Sequence, residues 1–293
     1  MNNYQRTDLA CESTPCGIRQ GIKDGVRIEI STYDDFEIIE TEVLDALGEK
    51  TTGRKIGKYL TLCLGKVWMY DTETLQKLKG VLSHTINEII KLHIKNITNV
   101  LVAGLGNRFI TADALGPLTI DKMVATRHMK TENKEIFDQI GSCELSLIAP
   151  GVVGQTGIEA SYIIKETARC VNAECIIVID ALASRSIDRL STTIQISDSG
   201  IHPGAGIGNS RKEISFSTMG IPVISIGVPT VVDSSTMVYD AMQNAGISEI
   251  PPELENVLKN GKSFFVSPKE SDIIISSMSE ILASAITEAV GNK

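Results

Sequence analysis

Two aspartates could do chemistry together: Asp113, in Gly104-Leu-Gly-Asn-Arg-Phe-Ile-Thr-Ala-Asp-Ala-Leu-Gly-Pro117, and Asp180, after Cys175-Ile-Ile-Val-Ile179. Each lies just past an apolar run that reads as a buried strand. In an open parallel sheet the carboxyl ends of the strands share one edge, and ligands bind in the crevice there. Two carboxylates in such a crevice do not both ionise readily, so one serves as a general acid and the other as a general base toward water. That is hydrolase chemistry. Each residue also has a plainer reading: Asp113 as the N-cap of a helix beginning near Ala114, Asp180 as the ion-pair partner of Arg185 or Arg189.

Three glycine-rich segments could shape a site around them. Gly104-Leu-Gly-Asn107 follows a strand, but Arg108-Phe109 stands where a dinucleotide fingerprint needs its third glycine. Gly151-Val-Val-Gly-Gln-Thr-Gly157 could present amide donors to a peptide carbonyl or an anion, or could simply be a strand-to-helix turn. Ser199-Gly-Ile-His-Pro-Gly-Ala-Gly-Ile-Gly-Asn-Ser-Arg-Lys-Glu213 can approach a substrate backbone closely, with His202 as a candidate third group. Gly106, Asn107, Gly154, His202 and Gly204 are therefore the candidate substrate-binding residues. No pair among His84, His93, His128 and His202 has metal-ligand spacing, and no metal or other cofactor is assigned. No Gly-x-Ser-x-Gly elbow, His-Glu-x-x-His or Walker phosphate loop is present.

The elements that must position these residues follow from periodicity. Residues 1–25 are polar and aperiodic and read as a tail or extended arm. Strands are expected at Val26–Ser31 and Lys58–Leu64, and Asp71 caps a helix through about His93, with Leu75, Leu78, Leu82, Ile86 and Ile90 on one face. From residue 97 onward strands alternate with helices: 99–103, 145–149, 175–179 and 223–227, with helices after Asp113, after Gly157 and over 234–244. Ser267-Pro-Lys-Glu270 reads as a capping box opening a long C-terminal helix. The fold class is α/β, a mostly parallel twisted sheet covered by helices on both faces, with additional N-terminal strands.

With 42% hydrophobic residues in 293, the chain can bury a full core. A net charge of -8 argues against a direct nucleic-acid partner, since a sequence-independent binder carries a basic face. No apolar run long enough for a bilayer span is expected, so no membrane partner is assigned. The six cysteines show no zinc spacing, and Cys143, Cys170 and Cys175 are expected as buried, inert thiols of a cytoplasmic protein.

Arg6-Thr-Asp-Leu-Ala10, Gly57-Lys-Tyr-Leu-Thr61, the 104–117 segment, Ala149-Pro-Gly-Val-Val-Gly-Gln-Thr-Gly157, Val178-Ile-Asp-Ala-Leu-Ala183, Gly200-Ile-His-Pro-Gly204, and the stretch from Arg211-Lys-Glu-Ile214 through Gly227-Val-Pro-Thr-Val-Val-Asp233 together resemble the germination proteases of spore-forming bacteria. The resemblance implies an endopeptidase that degrades small acid-soluble spore proteins in the spore core, with Asp113 and Asp180 catalytic. It implies a homotetramer, a fold similar to hydrogenase-maturation peptidases, and a zymogen that removes its own leader. Thr7-Asp-Leu-Ala-Cys-Glu12 looks like the family's recognition sequence, Thr-Glu followed by Phe or Ile and Ala-Ser-Glu, which places self-cleavage between Asp8 and Leu9. Residues 1–8 would be the propeptide and 9–293 one peptidase domain, with a core of 95–293 and an extension of 9–94. Two alternatives share parts of the pattern: a nickel-dependent hydrogenase-maturation peptidase, and a Rossmann-like nucleotide-binding protein.

Overall fold

Successive residues of a strand face opposite sides, and Asn99–Gly104 is apolar on both. In the computed structural model, which describes residues 6–140, 143–208, 211–247, 251–260 and 264–291, Val100 and Val102 pack into one hydrophobic cluster and Leu101 and Ala103 into another. The same division holds in the neighbouring strand, where Cys175, Ile177 and Ile179 face the first cluster and Ile176 and Val178 the second. These strands lie at the centre of a layered α/β molecule. The first layer of helices includes Thr72–Lys91 and Ser271–Val290; Ala160–Val171 covers the second face.

The strands are β1 (Gly21–Lys23), β2 (Val26–Tyr33), β3 (Phe36–Val43), β4 (Gly57–Cys63), β5 (Asn99–Gly104), β6 (Glu144–Ile148), β7 (Cys175–Ser184), β8 (Thr193–Ser197), β9 (Val223–Asp233) and β10 (Phe265–Val266). They form one sheet in the order β1-β2-β3-β4-β8-β9-β7-β5-β6, with β10 added beside β9. The run β9-β7-β5-β6 is parallel, and β8, β4, β3, β2, β1 and β10 join antiparallel. The sheet is thus parallel in its centre with antiparallel edges, the N-terminal strands extending it through β4 and β8.

Several local expectations are corrected. Strand β7 does not stop at Ile179 but pairs with β9 as far as Ser184, so Asp180 stands within a strand. It is β5 that ends early: Gly104 pairs with Ile179, and beyond it β7 lacks that neighbour. The stretch after residue 6 is no loose arm, since Leu9 and Ala10 are fully buried. The C-terminal helix begins at Ser271, its N-cap Glu270 makes no side-chain cap, and Ser267 opens no capping box. That helix has the length and apolarity of a bilayer span, with a mean hydropathy of 1.5, which the sequence reading passed over. It is nevertheless a core helix, 61% buried and packed on Thr72–Lys91. Cys143 and Cys175 are buried, their thiols pushed up to about 12 by burial, whereas Cys170 is exposed.

Candidate active site

Asp180 owes its position to the register of β7. Strand alternation puts it on the same face as Ile176 and Val178, and its main chain pairs beside Gly227 of β9. The side chain is 6% exposed, and its Oδ1 accepts from the N–H of Ala181 at 3.0 Å. Arg185 and Arg189 do not pair with it: Arg185 reaches Asp240 at 3.7 Å and Arg189 reaches Glu12 at 3.7 Å. Burial pushes the Asp180 carboxyl well above the ordinary carboxylate range, and the charges of Asp113 and Asp8 push the same way.

Asp113 ends a short 3-10 turn, Thr111–Asp113, and is half-buried. It does not cap the next helix, Leu115–Asp121, whose N-cap is Ala114. Its Oδ2 instead accepts from the N–H of Asn107 at 2.8 Å, closing the loop that leaves β5. Gly106, at φ 108, makes that closure possible: a Cβ there would lie 2.0 Å from the Asp113 carbonyl oxygen. Burial raises the Asp113 carboxyl and the Asn107 amide works against the rise. Gly104 and Gly116 are explained by contact between loop and helix, since a Cβ on Gly104 would meet the Gly116 carbonyl at 2.3 Å. The loop is therefore packed onto a helix that starts eleven residues after Gly104, and does not open into a helix N-terminus as a dinucleotide site requires.

The two aspartates line one cavity of about 340 Å³. Gly106, Asn107, Gly154 and Gly204 line it as well, so four of the five candidate substrate-binding residues are brought together. His202 is not among them: it lines a second cavity of about 100 Å³ and pairs with Glu213 at 3.5 Å. The structure adds individual residues of the singled-out glycine-rich segments that were not themselves candidates. Gln155, on the turn of helix Val153–Thr156, donates from Nε2 to Asn107 Oδ1 at 2.8 Å and so ties the 151–157 segment to the Asp113 loop. Arg211 and Lys212 supply positive charge at the rim, Arg211 beside Glu159 at 4.0 Å and Lys212 over the Tyr162 ring. Among the described residues no three of His, Cys, Asp and Glu are grouped as a metal would need, which is the arrangement a nickel-dependent peptidase calls for.

Asp8 reaches the same cavity. Where β5 has ended, its N–H donates to the carbonyl of Ala183 at 2.7 Å, and its carboxylate accepts from the N–H of Ala183 at 2.8 Å. Four residues on, the Glu12 carboxylate accepts from the N–H groups of Arg185 at 2.7 Å and Ser186 at 3.0 Å. The segment Thr7–Glu12 is thereby laid along the end of β7, past Asp180. No local pattern marks it as part of the core, because the contacts that anchor it on the sheet are with residues far along the chain.

Known proteins resemble this chain over most of its length. The family model described as germination protease matches residues 8–245. A germination protease of Clostridium acetobutylicum is 37% identical over 98% of this chain and 95% of its own length. One from Clostridium perfringens is 38% identical over 97% of this chain and 94% of its own, and one from Priestia megaterium is 44% identical over 80% and 63%. Among solved structures, the [NiFe] hydrogenase maturation protease HycI from Thermococcus kodakarensis KOD1 aligns with 71% of this chain and 99% of its own, at 13% identity and a TM-score of 0.39. With a family model spanning most of its length and relatives alike nearly end to end, the chain belongs to the germination protease family and is an endopeptidase of spore germination.

Proposed function

We propose that Asp113 and Asp180 are the catalytic pair of this endopeptidase. The observation that supports the reading is that two carboxylates, one within β7 and one on the turn that follows β5, line one cavity, with no cation paired to the buried one among the described residues. Asp180, whose burial favours the protonated carboxyl, acts as the general acid. Asp113, less buried and accepting the Asn107 N–H, is the carboxylate that acts as the general base. Water gives one proton to Asp113 as its oxygen attacks the scissile carbonyl carbon, while Asp180 gives its proton to the carbonyl oxygen. The intermediate collapses as Asp113 passes its proton to the leaving nitrogen and Asp180 recovers one from the hydroxyl. The C–N bond breaks, both aspartates return to their starting states, and no other co-reactant than water is consumed. Asp113→Asn and Asp180→Asn are each expected to lower kcat/KM by at least about a hundredfold, the scale of a lost acid or base. Cleavage near the original rate in either variant, followed by mass spectrometry of a peptide substrate, defeats the assignment.

The substrates are small acid-soluble spore proteins, and the working form is a homotetramer in the cytoplasm of the spore core. The uncut chain is a zymogen that removes residues 1–8 by cutting between Asp8 and Leu9. What supports this is the Asp8 side chain lining the cavity of the aspartate pair. N-terminal sequencing of the processed chain is expected to begin at Leu9; any other start refutes the site.

A further inference from the structure

The Asn107 side chain is held at one end only. Its Oδ1 accepts from two donors, Gln155 Nε2 at 2.8 Å and the N–H of Phe109 at 3.1 Å. Two donors on one atom fix which way the amide faces, since turning it over would set the Nδ2 hydrogens against both. Gln155 is oriented in turn: its Oε1 accepts from the N–H of Val152 at 3.5 Å, which leaves Nε2 as the end toward Asn107. Among the described residues Asn107 Nδ2 has no hydrogen-bond partner. Asn107 lines the cavity of about 340 Å³ with Asp113 and Asp180, so this amide nitrogen is its free side-chain donor for a ligand there. The main-chain N–H of the same residue holds Asp113 Oδ2, and the turn between them is closed by Gly106. The free donor and the Asp113 carboxylate are therefore set on one tightly packed loop.

We propose that Asn107 is a third catalytic residue, its Nδ2 donating to the oxygen of the scissile carbonyl, and that Gln155 is the positioning residue that keeps Nδ2, and not Oδ1, available to the substrate. The proposal rests on the reading of Asp113 and Asp180 as the catalytic pair. A carbonyl oxygen has two lone pairs. Asp180 takes one for proton delivery and Asn107 the other, so negative charge gathering on the oxygen as water attacks is met before the proton has crossed. No atom passes to or from Asn107; its hydrogen bond strengthens as the carbonyl bond lengthens, which favours the transition state over the bound substrate. The burial that keeps the proton on Asp180 also makes it a weaker acid, and a second donor at the same oxygen offsets that weakness. A neutral amide suits the task. A lysine or arginine at this place would pull the Asp180 carboxyl down and strip the proton it has to give.

The test measures kcat and KM of Asn107→Ala, Gln155→Glu, Gln155→Ala and the double variant Asn107→Ala/Gln155→Glu on one peptide substrate. Asn107→Ala is expected to lower kcat by about 100- to 1000-fold, the scale of a lost oxyanion donor, with KM changed by less than about threefold. Gln155→Glu sets a carboxylate against Oδ1, so the Asn107 amide turns over and Nδ2 leaves the substrate; kcat falls by a similar factor. Gln155→Ala keeps more activity, because the Phe109 N–H still holds Oδ1. The double variant is no slower than Asn107→Ala, since both changes remove the same hydrogen bond. Gln155 is exposed, so its substitutions test the relay without disturbing the core. An unchanged kcat in Asn107→Ala, or a loss confined to KM, overturns the donor role. Gln155→Glu as active as Gln155→Ala, or losses that multiply in the double variant, overturn the positioning role. Asp113→Asn and Asp180→Asn are measured beside them. Loss in these with full activity in Asn107→Ala removes the amide donor alone; loss in Asn107→Ala with full activity in these removes the aspartate pair alone.

Discussion

At the scale of single residues, the decisive fact is where the nearby cations go. Arg185 and Arg189 follow Asp180 closely in sequence and would lower its pKa if they paired with it. They are drawn instead to Asp240 and Glu12, and Asp180 is left buried beside two further carboxylates. A carboxylate raised in the folded state binds its proton more tightly there than in the unfolded chain. Its contribution to stability is therefore full below the unfolded value near 3.8 and is lost as pH rises toward the folded value. Asp180→Asn removes that loss. The variant is expected to melt close to the original protein at pH 4 and above it at pH 7, the gap widening between; a gap that stays constant or closes with rising pH contradicts the raised value. The aspartates themselves were legible in sequence because each follows an apolar run, but their freedom from arginine was not, since it depends on partners 55 and 177 residues away.

At the scale of elements, legibility tracks how local the determining contacts are. Helix Thr72–Lys91 is where periodicity put it, with Leu78, Leu82, Ile86 and Ile90 buried and Asp71 accepting from the N–H of Thr74 at 2.8 Å. Asp71→Ala is expected to cost about 1 kcal/mol in a denaturant melt, as a lost N-cap does, while leaving cleavage kinetics unchanged. By contrast β8, five residues with Gln195 at its middle, gave no strand signal, because what makes it a strand is antiparallel pairing to β4 and β9 on either side. The 267–270 sequence had the right residue types for a capping box, yet the helix starts at Ser271, where the apolar face of Ile274, Ile275 and Met278 meets the core. Packing prevailed over capping chemistry. The Thr7–Glu12 segment was illegible for the same reason: it owes its place to distant partners, Arg54, β3, β4, β7 and β8.

At the scale of the whole molecule, the N-terminal segment divides at Asp8. Residues from Leu9 to Glu12 are part of the fold, with Leu9 and Ala10 fully buried and Glu12 anchored on the end of β7. A chain beginning at Leu9 keeps the buried Leu9–Glu12 segment but loses the bonds of Asp8 to Ala183 and Gln195, and is expected to melt below the full chain. One beginning at Ser13 loses a buried leucine, worth about 1.5–3 kcal/mol, and should melt several degrees lower at roughly 2–4 °C per kcal/mol. Equal melting temperatures for the two truncations would show that the segment is dispensable to folding.

The placement of Asp180 inside a central strand, buried on both faces and paired on both edges through Ile179, has a kinetic consequence. Local openings that cost little free energy are confined to loops and chain ends, while such strands open only when everything opens. The amides of Ile177 and Val178 should therefore be among the slowest to exchange with deuterium, at the free energy of global unfolding. Asp180 should therefore hold its place until the whole fold is lost, while the loop that carries Asp113 can open at lower cost.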